Sequence, residues 1–341
     1  MKVLITGCST GIGRGLACEF ASRGAVVLAT ARKLESIADL EGMCSTAVVD
    51  VTKPETLALA LKQFGPVDIC VANAGAGVYG PLLEQDLEHI EALMRTNVLG
   101  VVSTAKAAAP GMIARNRGLI VVIGSVSRAM ITPYAGAYCA SKAAVTAICD
   151  TLRMELSPWG IQVMEVVTGS VRSALSENAV AGGKCQLPEE SRYAKVQPFI
   201  DARANLSQNP LTAMDPSVFA KSVVDSALQA RPPARMTAGG HASFFDLAGR
   251  YCPHWFMAIR WQTMLGINTL AEGSASPNFL SVAIATFGRN QYFIATLDLL
   301  TACVAFVHSV HELLCFVFWS AVAVLSGALA SVGLVTPSIK S

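Results

Sequence analysis

The chain predicts an α/β fold: a doubly wound parallel sheet with helices on both faces, followed by a hydrophobic C-terminal helical tail. Three observations carry this. Short runs that are apolar on both faces alternate with helical stretches up to about residue 240, the pattern of buried parallel strands joined by crossover helices. A glycine-rich turn, Thr6-Gly7-Cys8-Ser9-Thr10-Gly11-Ile12-Gly13, follows the first apolar run and opens a helix. Near the other end, Leu313 to Val335 contains no charged residue, enough apolar chain to cross a hydrocarbon core of roughly 30 Å.

In chain order the strands are expected at Val3–Ile5, Val26–Ala29, Thr46–Val49, Ile69–Ala72, Leu119–Ile123, Gln162–Val167 and Arg235–Ala238. Helices are expected at Gly13–Arg23, Pro54–Phe64, Asp86–Lys106, Tyr138–Leu156 and Pro216–Gln229. Asp215-Pro216 marks a helix start, with a carboxylate at the N-cap and proline at the first helical position. Residues 174–214 break the rhythm. They are polar, contain Gly182-Gly183 and follow the sixth strand at its carboxyl end, where ligands sit in such sheets. The expectation is a mobile lid, set against a plain surface insertion.

A domain of residues 1–245 would hold the sheet and this lid. From Phe244 to Leu270 an aromatic-rich amphipathic stretch places Trp255, Phe256 and Trp261 beside Arg250, His254 and Arg260. As a segment of residues 246–275 it is expected either to cap the domain or to lie on a membrane surface. Residues 290–336 form the hydrophobic tail. Its first part, Phe293–Val310, carries Asp298 and His308, and its second, 313–335, is read as a transmembrane helix.

Composition agrees with this division. Hydrophobic residues make up 52% and charged ones 15%, with a mean hydropathy of +0.48, greasier than an ordinary soluble enzyme. The net charge of +2, with no long basic run, gives no reason to expect nucleic acid as a partner. The 10 cysteines fall in no CxxC or CxH pair, so neither a metal site nor a small disulfide scaffold is expected. They are read as reduced thiols of a cytosol-facing domain. The first strand begins at Lys2, which leaves no room for a signal peptide in this reading.

The chemistry rests on three fragments. In the glycine turn, Gly7, Gly11 and Gly13 let backbone amides approach a pyrophosphate, with Ser9, Thr10 and Ile12 beside it and the helix N-terminus adding partial positive charge. At the end of the second strand the chain reads Ala29-Thr30-Ala31-Arg32-Lys33. A carboxylate there would favour the ribose of NAD. Ala31 followed by the cations Arg32 and Lys33 suits a 2′-phosphate instead, so NADP(H) is the expected cofactor. Asp50, ending the third strand, is placed to accept a hydrogen bond from the adenine amino group.

Ser125 lies thirteen residues before Tyr138, and Lys142 lies one helical turn beyond the tyrosine on the same face. A phenol with an ordinary pKa near ~10 exchanges protons poorly at neutrality. An ammonium at about 4–5 Å in an effective dielectric of ~20 supplies roughly 3–4 kcal/mol towards lowering it. A dinucleotide turn combined with a proton-donating phenol implies hydride transfer coupled to proton transfer, hence carbonyl or alcohol redox chemistry. A second serine, Ser127, fits the spacing less well.

These motifs together resemble the short-chain dehydrogenase/reductase family over about residues 1–270, which implies a Rossmann sheet. Ala72-Asn73-Ala74-Gly75 is similar to the family's NAG signature, which makes Asn73 a cofactor-side residue stabilising the sheet. Asn97, in Met94-Arg95-Thr96-Asn97-Val98-Leu99-Gly100, matches its helix asparagine, which holds a water in the proton relay. The resemblance implies that Ser125 polarises the carbonyl, Tyr138 donates the proton, and Lys142 binds ribose and lowers the phenol pKa. It also implies that Val171 contacts the nicotinamide carboxamide through its backbone, with Ser173 in the place of the family's usual threonine. Thr168-Gly169 replaces the usual Pro-Gly, a departure that bears on loop rigidity.

Within the family the chain resembles fungal NADPH-dependent 1-acyldihydroxyacetone-phosphate reductases, on Val166-Val167-Thr168-Gly169-Ser170-Val171 and Tyr251-Cys252-Pro253-His254-Trp255. Hydroxysteroid 17β-dehydrogenases come next. The expected function is reduction of a hydrophobic ketone to a secondary alcohol, with the acylated phosphate as one candidate. The alternative is the same chemistry in a fungal polyketide or terpenoid pathway. A non-catalytic NADP-binding membrane scaffold would need none of Ser125, Tyr138, Lys142 and Asn97. The expected location is the endoplasmic reticulum or lipid-droplet membrane through the C-terminal tail, with the catalytic domain facing the cytosol. The family resemblance implies a homodimer or homotetramer.

Overall fold

The computed structural model describes residues 1–175, 179, 186–209 and 211–270. The expected transmembrane segment 313–335, the apolar run before it and Gly182-Gly183 all lie outside the described residues. Among the described residues, no helix is long and apolar enough to cross a membrane.

The seven expected strands all form: β1 (Lys2–Thr6), β2 (Val26–Ala31), β3 (Ser45–Val48), β4 (Ile69–Ala72), β5 (Gly118–Ile123), β6 (Ile161–Thr168) and β7 (Arg235–Ala238). They make one parallel sheet in the order β3-β2-β1-β4-β5-β6-β7. The winding reverses between β1 and β4, the position at which such sheets open a crevice at their carboxyl ends. Register brings those ends together, with Thr6 beside Thr30 and Ile5 beside Val71.

Strand alternation divides the core into two layers. Val3 and Ile5 of β1 pack with Val27, Val71, Val121 and Val166 on one face. There they meet Leu16, Ala17 and Phe20 of α1 (Gly11–Ser22) and Phe219, Val223 and Val224 of a late helix, Pro216–Ala227. Leu4 points the other way, with Leu28, Cys70, Ile120 and Val122. That layer is closed by α2 (Pro54–Phe64), by α4 (Gly100–Ile113) through Val101, Ala105 and Met112, and by α5 (Gly136–Leu156) through Val145 and Cys149.

The helix expected over Asp86–Lys106 is not continuous. It divides into α3 (Leu87–Met94), a π turn over Arg95–Leu99 and α4, which runs on through Pro110 to Ile113. In the π turn the Gly100 amide reaches back to the Arg95 carbonyl. The cause is tertiary. The Asn97 side chain clasps the Ala76 backbone, with Oδ1 accepting from its amide at 2.7 Å and Nδ2 donating to its carbonyl at 3.1 Å.

A third cluster lies off the sheet. The stretch beyond Gly169 supplies α6 (Gln197–Ala204), then α7, the late helix Pro216–Ala227, and after β7 come α8 (Ala242–Tyr251) and α9 (His254–Met264). Val196, Ile200 and Ala204 pack with Tyr79, Tyr134, Trp261 and Leu265. In the amphipathic stretch Trp261 is buried and its indole Nε1–H points at Met130 Sδ, 3.3 Å away, while Tyr134 donates to the Leu265 carbonyl at 2.9 Å. In the described part of 174–214, Val196 and Ile200 are fully buried.

Candidate active site

A cleft of about 600 Å³ opens at the carboxyl ends of the strands. At one end its wall is the turn between β1 and α1, through Gly7, Ser9, Thr10, Ile12 and Gly13. Thr6 locks this turn to β4. Its hydroxyl accepts from the Asn73 amide at 3.0 Å and the Ala74 amide at 3.1 Å, while Asn73 Nδ2 donates to the carbonyls of Thr6 (2.8 Å) and Gly7 (3.1 Å). Asn73 therefore lines the cleft and also holds the turn in shape. Gly13 has no room for a side chain, because a Cβ would stand 2.2 Å from the Gly7 carbonyl oxygen. Gly11 adopts φ +58°, and a Cβ there would lie 2.8 Å from Ser173 Cβ. It sits beneath the post-β6 loop and is not itself part of the cleft wall.

At the end of β2, Ala31 and Arg32 line the cleft, but Lys33 does not. Lys33 begins the 3₁₀ turn over Leu34–Leu40, with its carbonyl accepting from the Ser36 hydroxyl at 2.7 Å. Asp50 lines the wall nearby. Burial pushes its carboxyl up, but hydrogen bonds from the Thr52 hydroxyl and amide, with the charges of Lys53 and Arg32, leave it below the usual range. It is an anion with Oδ1 engaged by Thr52, at 2.7 Å from the hydroxyl.

The post-β6 loop carrying Val171 and Ser173 is clamped despite its Thr-Gly start. Gly169 donates to the Ala238 carbonyl at 2.8 Å, Ser170 exchanges bonds with Gly240 at 3.0 and 2.8 Å, and Arg172 donates to Met214 at 3.1 Å. The Arg172–Asp215 ion pair ties it to the start of α7. Both Val171 and Ser173 reach the cleft wall.

The catalytic candidates come from β5, the turn after it and α5. Ser125 caps the 3₁₀ turn Val126–Arg128, and its Oγ accepts from the Ser127 amide at 3.1 Å. Of the two serines it is Ser125 whose hydroxyl draws the Tyr138 phenol's pKa down, which favours Ser125 over Ser127 for the role at the tyrosine. Lys142, one turn along α5, donates to the Ile123 carbonyl at 3.0 Å, with Nζ 5.9 Å from the centre of the Tyr138 ring.

Electrostatically the pair differs from the sequence expectation. Burial pushes the phenol well above its ordinary range and Tyr79 adds to this, while the Ser125 hydrogen bond and the Arg203 charge pull the other way. Burial also pushes Lys142 down, to about 8, against the opposing influence of Cys149 and Glu165. The reason is shared desolvation: both groups lie on the buried face of α5, where neither charged form is favoured.

Asn97 stands behind the site, 1% exposed, and does not line the cleft. Besides clasping Ala76, its Nδ2 donates to Ser141 Oγ at 3.0 Å, and Ser141 in turn donates to the Tyr138 carbonyl at 2.7 Å. The side chain is thus committed to positioning α5 against the Ala76 loop, which leaves any water-holding role to the backbone of the π turn. Sequence reasoning missed Thr6, Ser141, Tyr79, Thr132 and Arg203. Thr6 and Ser141 stood inside the quoted motifs. The other three are joined only by folding.

The comparisons with known proteins agree with this geometry. The family model for short chain dehydrogenases matches residues 1–183. A short-chain dehydrogenase of Penicillium ochrochloron is 36% identical over 237 residues, covering 67% of this chain and 85% of its own. An NADPH-dependent 1-acyldihydroxyacetone phosphate reductase of Schizosaccharomyces pombe is 36% identical over 199 residues, 56% of this chain and 67% of its own. Among solved structures, a short-chain dehydrogenase from Streptomyces avermitilis superposes with a TM-score of 0.62 at 25% identity, over 79% of this chain and 96% of that one. The protein belongs to the short-chain dehydrogenase family and is an oxidoreductase acting on CH–OH and C=O groups.

Proposed function

We propose that the protein is an NADPH-dependent reductase that converts a hydrophobic ketone to a secondary alcohol. The observation that carries this reading is the buried Ser125–Tyr138–Lys142 group at the carboxyl end of β5, in one cleft with the glycine turn. The family binds NAD(P), and the residues present fit such a group. The cradle at Gly13 excludes any side chain, and Arg32 follows Ala31 where an acid would disfavour a 2′-phosphate. The Schizosaccharomyces relative's NADPH dependence supports the same choice. When bound, the nicotinamide supplies the hydride.

The chain's own residues supply the rest. Ser125 donates a hydrogen bond to the substrate oxygen and so polarises the carbonyl. The phenol, held above its ordinary pKa by burial, is protonated at neutral pH and serves as the acid for that oxygen. Lys142, with a pKa lowered to about 8, is poised to return a proton to the phenolate and to hydrogen-bond the cofactor ribose. Val171 and Ser173 cover the nicotinamide end, and Asn97 and Ser141 fix the pitch of α5.

Apolar surface from Val78, Met130, Leu175, Ala179, Phe245 and Trp261 lines the substrate end and supports a hydrophobic ketone. Residues 174–214 act as its lid, and the charge-free segment 313–335 anchors the enzyme at the endoplasmic reticulum or a lipid droplet, with the sheet domain on the cytosolic side. The test is NADPH oxidation by the membrane fraction with a panel of ketones: an acyl-dihydroxyacetone phosphate, a 17-ketosteroid and polyketide-like ketones, with Tyr138→Phe as the blank. Turnover confined to the polyketide-like members assigns the enzyme to natural-product chemistry. No ketone-dependent oxidation above the blank overturns the reading.

A further inference from the structure

The substrate end of the cleft contains a buried cation for which the proposed reaction has no use. Arg203, on α6, lines the cleft and is 8% exposed. Its Nε donates to Thr132 Oγ1 at 2.6 Å, and its Cζ lies 5.6 Å from the centre of the Tyr79 ring. Thr132 and Tyr79 are themselves buried and also line the cleft. The Tyr79 ring lies 6.0 Å from that of Tyr138, so one aromatic side chain separates the guanidinium from the proton donor.

No carboxylate among the described residues pairs with Arg203. Elsewhere in this fold, the Arg128 side chain, 8% exposed, meets Asp246, and the half-buried Arg235 meets Glu165 at 2.6 Å. The one carboxylate lining the cleft among those residues is Asp50, beyond β3 on the cofactor side. A guanidinium carries five N–H donors, and Nε accounts for one. A buried charge is costly unless it is paired. Here a hydroxyl and an aromatic face hold the guanidinium in place without neutralising it, and it borders the space the substrate enters.

We propose that Arg203 binds an anionic group, a carboxylate or a phosphate, carried by the substrate within a few bonds of the ketone. The inference rests on the reductase reading above and narrows its substrate class from hydrophobic ketones to amphiphilic ones with an acidic head. The apolar wall then takes the tail. Arginine suits the task because its planar fork meets either anion with two parallel hydrogen bonds.

Two matched pairs of ketones test this on the full-length protein: 3-oxododecanoate with its methyl ester, and a 1-acyl-dihydroxyacetone phosphate with its dephosphorylated form. The expected result is a kcat/KM ratio of about tenfold or more in favour of the anion in at least one pair, carried mainly by KM; the preferred pair tells carboxylate from phosphate. In Arg203→Met the ratio falls to about one, and in Arg203→Lys part of it returns. Tyr138→Phe lowers both members of a pair and leaves their ratio intact.

A wild-type preference for the neutral members, or a ratio unchanged in a folded Arg203→Met, overturns the proposal. Calorimetric binding of 3-oxododecanoate and of the acylated phosphate to the NADP⁺-saturated protein separates the two readings. Arg203-dependent binding without any NADPH oxidation would sink the reductase and keep the anion site. Oxidation of all four ketones without charge preference does the reverse.

Discussion

At the glycine-turn end of the cleft the wall is largely backbone and small side chains, fixed by a few hydrogen bonds between adjacent strands. Thr6 and Asn73 tie the turn to β4, and Gly13 clears space that a single methyl group would fill. At the opposite end the wall is made of large side chains from well-separated segments: Tyr79, Met130 and Thr132, Arg203, and Phe245 with Trp261. The first end reads a constant shape, a dinucleotide, through backbone geometry. The second reads a variable one through side chains whose supports lie in other elements. Damage at the first end should therefore act on cofactor binding and stability, and damage at the second on substrate choice, with Tyr138 standing between them.

Four measurements break or sharpen that division. The largest effect is expected from Tyr138→Phe, which removes the proton donor without touching the glycine turn. Turnover should fall by roughly 10³-fold or more, with NADPH affinity, read by fluorescence titration, changed less than about threefold. Gly13→Val comes next. Overpacking against the Gly7 carbonyl should cost about 1–3 kcal/mol of stability, or a few degrees in melting temperature, and weaken NADPH binding at least about tenfold. A variant with normal NADPH affinity would show that the turn is not the cofactor cradle.

Arg32→Ala should raise the KM for NADPH by about tenfold and leave that for NADH nearly unchanged, since one charge-assisted hydrogen bond contributes about 1.5–3 kcal/mol. Equal effects on both cofactors would remove the 2′-phosphate assignment. The smallest effect concerns Lys142. Its pKa is lowered to about 8 from 10.5, so between those values the unfolded chain binds more protons than the native one. This group's contribution to stability therefore rises with pH through that window and is a full penalty below it. Relative to Lys142→Met, the wild type should gain about 1 kcal/mol between about pH 8.5 and about pH 9.5 in urea unfolding. The difference measurement cancels the opposing alkaline losses from Cys8 and Cys70, whose buried thiols are pushed up to about 12.

How much was legible in the sequence follows the same division. All seven strands were readable because parallel strands buried on both faces are short, continuous apolar runs. Ser125, Tyr138 and Lys142 were readable because their spacing is local to one strand end and one helix. The split of the expected 86–106 helix at Asn97 was not, since its helical periodicity is unbroken and the π turn is imposed by Ala76, far away in sequence. Lys33 looked equivalent to Arg32, but the turn at Leu34 carries it away from the cleft wall. The lowered phenol expected from a nearby ammonium failed for a similar reason: proximity was readable from the spacing, whereas the burial that outweighs it was not.

The amino-acid sequence by itself determined the sheet, the glycine turn, the family and the residues of the proton-transfer group, because each is written in contiguous segments of about ten to twenty residues. Only the tertiary structure decided that Asn97 spends its amide on Ala76 and Ser141, and that a buried arginine with no acid partner among the described residues faces the substrate space. Those features depend on desolvation and on contacts between segments tens of residues apart, and neither can be read from the order of residues along a chain.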